Sequence, residues 1–157
     1  MRVSLFAAGA ALTLMTAGVA LAAALPKQKA LAVMHARHEG MESIGKATKA
    51  INRELRGSSP DLTVVRLSAG QIARLSRQAS HWFAPGTGPE LGKTGAKPEI
   101  WKDPKDFTAK LAAFQRSAQA FNAAAAGSDV GAIKARFGDL GDTCKACHDK
   151  YRAEMKH

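Results

Sequence analysis

Both cysteines of the chain lie near its C-terminal end, and a histidine directly follows the second one. The run Cys144-Lys145-Ala146-Cys147-His148 separates the two thiols by two residues. This is the spacing with which thiols add to the two vinyl groups of a haem, and the following histidine then reaches the iron. The run predicts one covalent haem c, attached through Cys144 and Cys147, with His148 as the proximal iron ligand.

Three other uses of a cysteine pair fit this sequence less well. A thioredoxin-like redox pair needs a neighbouring βαβ pattern, which the sequence lacks. A structural zinc site needs more ligands, and His35 and His38 lie on a predicted helix without zinc-type spacing. A disulfide leaves the role of His148 unexplained. Haem attachment is therefore the favoured interpretation.

The N-terminus has the form of a secretory signal peptide. Arg2 precedes an uncharged apolar stretch at 5–21, and small residues suited to cleavage follow at 20–22 and 22–24. We expect cleavage after residue 22 or residue 24, which leaves a domain of 23–157 exported to the periplasm. An uncleaved membrane anchor is the alternative, but we expect no stable membrane insertion of the mature protein.

The mature chain divides into four segments with helical spacing of apolar residues and no strand pattern. The first runs from about 27 to 56, and the second from about 61 to 83. A Gly- and Pro-rich loop follows to about 101. The third segment starts with Asp103 as the cap and ends at Gly127, and the fourth starts with Ser128 as the cap. The pattern predicts an all-α, antiparallel four-helix bundle.

The haem motif lies on the predicted inner face of the fourth helix. Gly141 precedes His148 by seven residues and therefore shares its face. A residue without a side chain at this position leaves room for a flat macrocycle.

The sequence resembles the class II c-type cytochromes, also called the cytochrome c-prime family. The run 144–152 matches the family's motif followed by two residues, an aromatic residue and an arginine. On the first helix, Arg37, Met41 and the pair at 44–45 match the side that covers the distal haem face. The resemblance implies the low-spin branch, in which Met41 is the second iron ligand. High-spin members have Leu or Phe there and a five-coordinate iron.

Arg37 lies on the apolar line of the first helix, where a buried guanidinium needs a partner. A haem propionate would supply one, and the resemblance makes Arg152 a second candidate for such a contact. Spacing alone does not choose the sixth ligand, because Met34 and His38 also lie near Met41. The resemblance favours Met41.

These features predict a periplasmic monohaem carrier of single electrons rather than an enzyme. The alternative is a five-coordinate protein that binds NO or CO. The formal net charge of +10 favours an acidic redox protein as partner, steered by Lys145, Lys150 and Lys156. We expect no nucleic acid partner. A monomer and a homodimer both remain open.

Overall fold

The computed structural model describes residues 25–154 of the chain. The predicted signal peptide and Lys156 lie outside these residues. Four long helices and one short helix form the fold: α1 (Lys27–Arg56), α2 (Leu62–Gln78), α3 (Glu99–Lys102), α4 (Pro104–Ala125) and α5 (Val130–Tyr151). The four long helices form the antiparallel bundle that the sequence predicted.

Aspartates cap the N-termini of three of the long helices, where they accept hydrogen bonds from backbone N–H groups of the first turn. Asp61 accepts from Thr63 at 2.8 Å, and Asp103 accepts from Asp106 at 3.3 Å. Asp129, rather than the predicted Ser128, caps α5. Its backbone is extended (φ −76°, ψ 97°), and its carboxylate therefore reaches the N–H of Ala132 at 3.1 Å.

The second helix ends earlier than its apolar pattern predicted. Its α-helical part stops at Gln78, and a single 3₁₀ turn continues over Ala79–His81. Trp82 and Phe83, which the pattern placed on the helix, belong to the loop. The backbone carbonyl of Trp82 accepts a hydrogen bond from Arg37 on α1 instead of continuing the helix.

The core of the bundle receives fully buried side chains from all four long helices. Ile51 comes from α1, Ile72 from α2, Phe121 from α4 and Ile133 from α5. Each lies on the apolar line predicted for its segment, because a helix presents residues three and four apart on one face. No helix within residues 25–154 is long and apolar enough to cross a membrane.

The long helices pack closely in the order α1–α2, α2–α4 and α4–α5. Across the described part of the chain, α1 and α5 do not form a fourth close pair. The helix with Met41 and the helix with the cysteines are thus the two edges of the packed set. Their relative position depends on the helices and the loop between them.

Replacement of Phe121 by alanine tests the core. Phe121 is fully buried, so Phe121→Ala should lower the free energy of unfolding by about 3–5 kcal/mol through lost transfer energy and a cavity. Chemical denaturation of the haem-loaded protein measures this change. Lys134, which is exposed on α5, provides the control. Lys134→Ala should change stability by about 0.5 kcal/mol or less, and equal effects of the two variants would contradict the assignment of the core.

Candidate haem site

The two cysteines lie half-buried on α5 and contact different parts of the core. Cys144 packs against the main core cluster, which all four long helices build. Cys147 packs against a smaller cluster of Ile100, Phe107 and Tyr151. Burial raises the pKa of both thiols, and the neighbouring Cys147 raises that of Cys144 further. Both cysteines are free thiols in the structure, as attachment to haem requires.

Glycines leave open space beside the cysteines. A Cβ added at Gly141, the position predicted to leave room for a macrocycle, would meet nothing within 4 Å, and Gly138 is equally open. Gly45 on α1 has the same property. Two thiols, an imidazole directly after the second of them and two glycines within two turns before the first together fit a planar group attached along α5.

His148 lines a cavity of about 490 Å³ at the C-terminal end of α5. Lys97 and Arg152 line the same cavity. Partial burial lowers the pKa of His148, the charge of Arg152 lowers it further, and Asp149 opposes the shift. The neutral imidazole is the form that binds iron, so the surroundings favour the ligating state at neutral pH.

Ion pairs hold the end of α5 against the start of α4. The Nζ of Lys150 contacts Asp103 at 3.0 Å and Asp106 at 2.9 Å. The hydroxyl of Tyr151 donates to the same Asp106 carboxylate at 2.6 Å, and its ring packs edge-on against Phe107. These contacts fix the last turn of α5, which begins at His148.

A short backbone bridge ties the loop before α3 to the chain after α5. The N–H of Lys97 donates to the carbonyl of Tyr151 at 2.9 Å, and the N–H of Ala153 donates to Gly95 at 2.8 Å. Ala96 and Arg152 face each other across this bridge. The sequence analysis missed the contact, because a two-residue bridge has no strand pattern to reveal it.

Met41 lies half-buried on α1 and packs against the main core cluster. Its rival Met34 is also half-buried, two turns earlier on the same helix. His38 is exposed, and its ring nitrogen lies within 4.8 Å of carboxylate oxygens of Glu39 and Glu42. Of the three candidates for a sixth ligand, Met41 is the one that packs into the main core.

Arg37 is buried at 5% exposure, and its partners are neutral groups of the loop after α2. It donates to the carbonyl of Trp82 at 3.0 Å, to Thr87 at 2.9 and 3.2 Å, and to the hydroxyl of Thr94 at 3.0 Å. The ring of Phe83 lies 5.3 Å from its guanidinium carbon. Burial lowers the pKa of Arg37, and Glu90 opposes this. The propionate contacts of Arg37 and Arg152 stay predictions.

Two of the lysines expected to steer a partner have acidic neighbours on the protein itself. Lys145 pairs with Asp149 one helical turn later, and Lys150 pairs with Asp103 and Asp106. Their charges are therefore partly compensated at the surface. This arrangement weakens the argument that they attract an acidic redox protein.

The bundle and the site together define a haem c protein whose attachment helix is the last of four. The family model of cytochrome c' matches residues 32–152, so the chain belongs to the cytochrome c' family. It is 33% identical to cytochrome c' of Rhodospirillum rubrum over 156 residues, 98% of this chain and 99% of that one. The family binds one covalent haem c, which confirms the predicted cofactor.

Two solved structures have the same fold as the chain. One is a nitric oxide complex of a mutant cytochrome c' from Alcaligenes xylosoxidans, with a TM-score of 0.71, 30% identity and coverage of 82% of this chain and 97% of that one. The other is a cytochrome c' with ligand-controlled dimer dissociation, with a TM-score of 0.73, 30% identity and coverage of 84% and 100%.

Removal of the thiols tests the attachment site. In the double variant Cys144→Ala/Cys147→Ala, haem should leave the protein completely on extraction with acidified acetone, because no thioether remains. In the wild type and in the control Lys145→Ala, haem should stay with the precipitated protein. Haem that resists extraction from the double variant would contradict the attachment through these cysteines.

The acidic pair at the start of α4 predicts a pH dependence of stability. The hydroxyl of Tyr151 and the ammonium of Lys150 lower the pKa of Asp106 below its ordinary value of 3.8. A lowered pKa means that the carboxylate stabilises the fold above about pH 4 and that this contribution is lost as the pH falls through the folded pKa. Asp106→Asn should therefore melt below the wild type near neutral pH.

The difference in melting temperature between Asp106→Asn and the wild type should shrink steadily as the pH falls below about 4. Asp139→Asn is a suitable control, because Asp139 makes only an exposed ion pair with Arg136 on its own helix. A difference for Asp106→Asn that stays constant down to low pH would rule out the proposed role of its charge.

Proposed function

We propose that this chain is a periplasmic haem c protein that binds a small diatomic gas, NO or CO, on the haem face covered by Met41. The observation that carries the proposal is the likeness over nearly the whole mature domain to a cytochrome c' solved with nitric oxide. The signal peptide predicted at 1–22 supports the location, since haem attachment by this motif takes place outside the bacterial cytoplasm.

In this proposal, residues of α5 hold the haem and a residue of α1 covers it. Cys144 and Cys147 anchor the haem on α5, and His148 supplies one iron ligand from the neutral imidazole that its surroundings favour. A haem held there would supply an iron that binds a diatomic gas. The resemblance supports Met41 as the side chain over the distal face. Met41 also packs against the core, so it would have to move aside when a gas binds.

A second candidate is the one-electron carrier in which the sulfur of Met41 binds the iron. The presence of a thioether at this position favours it, because methionine together with histidine is a common ligand pair of electron-carrying c-type haems. The two candidates differ in the distance of one sulfur atom from the iron. Absorption spectroscopy distinguishes them directly.

We also propose that the protein forms a homodimer. A related cytochrome c' shows ligand-controlled dissociation of its dimer. In this chain the two large apolar side chains with high exposure in the described residues are Leu31, at 43%, and Leu67, at 72%. They lie on α1 and α2, and we propose these two helices as the interface. An acidic redox partner remains a further proposal, supported only by the net charge of +10.

Spectra of the purified holoprotein, with and without carbon monoxide, test the gas-binding proposal. We expect a high-spin spectrum in the ferrous state and a shift of the Soret band when carbon monoxide is added. A low-spin spectrum that carbon monoxide leaves unchanged would exclude this function and favour the electron carrier.

Substitution of Met41 distinguishes a side chain that covers the iron from one that binds it. If Met41 covers the iron, Met41→Ala should raise the carbon monoxide affinity by about tenfold, because the gas no longer has to displace the packed side chain from its position. Met41→Leu should keep the high-spin spectrum. If Met41 is a ligand, Met41→Leu should convert a low-spin spectrum to high-spin. The control Met34→Ala should change neither the affinity nor the spectrum.

A further inference from the structure

Gly40, which directly precedes Met41, lies against the indole ring of Trp82. A Cβ at this position would lie 2.1 Å from Cη2 and 2.3 Å from Cζ2 of the ring. Any side chain here would overlap the indole, since packed interiors leave no room at such distances. Trp82 is only 6% exposed, so a displacement of the ring would disturb its packing.

Trp82 makes a second contact with α1, through its backbone. Nη1 of Arg37 donates to the backbone carbonyl of Trp82 at 3.0 Å. Arg37 precedes Gly40 by three residues and Met41 by four, so it lies on the same side of the helix as each of them. Arg37 also donates to Thr87 and Thr94, so the loop that carries Trp82 is anchored to α1 at Trp82 and at two later positions.

We infer that Trp82 is a positioning residue for the distal face of the haem: its indole, seated on Gly40, sets where α1 presents Met41. This rests on the proposed function in one respect, that Met41 covers the distal face. Because α1 is a continuous helix through 27–56, a displacement at Gly40 is passed directly to its neighbour. Trp82 also belongs to the core cluster against which Met41 packs.

The experiment is a carbon monoxide titration of the holoproteins of Gly40→Ala, Trp82→Phe and the double variant. Gly40→Ala adds a methyl group that overlaps the indole, so the carbon monoxide affinity should change by about fivefold or more, as overpacking of a close contact displaces its neighbours. Trp82→Phe removes the ring atoms that touch Gly40 and should also change the affinity. The double variant should return toward the wild-type value, because the shorter ring makes room for the methyl group.

The control is Gly70→Ala on α2, where the new Cβ would lie at an ordinary 3.6 Å from Asn122. It should leave the affinity and the Soret position unchanged. Wild-type affinity in both single variants, or purely additive effects in the double variant, would overturn the inference. If Gly40→Ala does not fold, Trp82→Phe alone tests the inference: a changed affinity supports it, and a wild-type affinity overturns it.

Failure of the gas-binding proposal gives a different result from failure of this inference. A wild type that binds no carbon monoxide excludes gas binding. In that case the absorption spectrum tests the positioning role of Trp82. If Gly40→Ala displaces Met41, the bond between its sulfur and the iron should weaken, and part of the protein should become high-spin. An unchanged low-spin spectrum in both single variants would overturn the positioning role.

Discussion

A haem attached as proposed, at Cys144 and Cys147, would take its orientation from one helix, so the placement of α5 in the bundle constrains everything else in the site. Both thiols and the imidazole of His148 come from little more than one turn of that helix. The turn is held by the ion pairs of Lys150, by Tyr151 packed against Phe107 and by the bridge that follows. A loose helix end would allow the iron to move relative to α1.

The buried charge of Arg37 explains how the position of α1 is linked to that of α5, although the two helices do not pack closely against each other. A guanidinium removed from water is costly unless each donor finds an acceptor, and this requirement brings the loop at Thr87 and Thr94 onto α1. One residue after Thr94, the loop pairs with the end of α5 through Gly95 and Lys97. A continuous path of hydrogen bonds thus runs from the distal helix to the proximal one.

The bundle could be predicted because it depends on local spacing: the phenylalanines of α4 lie at intervals that place them on one face of a helix. The attachment of haem at Cys144 and Cys147 depends on local spacing too, and it stays a prediction. The loop from 82 to 98 could not be predicted in this way, since its conformation depends on Arg37, which is 45 residues or more distant along the chain. The N-cap of α5 was misassigned by one residue, because Ser128 and Asp129 are both good caps and only the backbone angles distinguish them.

Met41 shows why a residue type is weak evidence for ligation. A thioether packs into an apolar core as readily as it binds iron, because its sulfur is polarizable and its side chain is flexible. The family resemblance, rather than the spacing, favours Met41 for the distal face, and it contains nothing about the depth of α1 relative to the haem. That depth is a property of tertiary packing, and at this turn of the helix it depends on the absence of a side chain at Gly40. On our inference, therefore, the contact between Gly40 and Trp82 helps to decide whether Met41 only covers the iron or binds it.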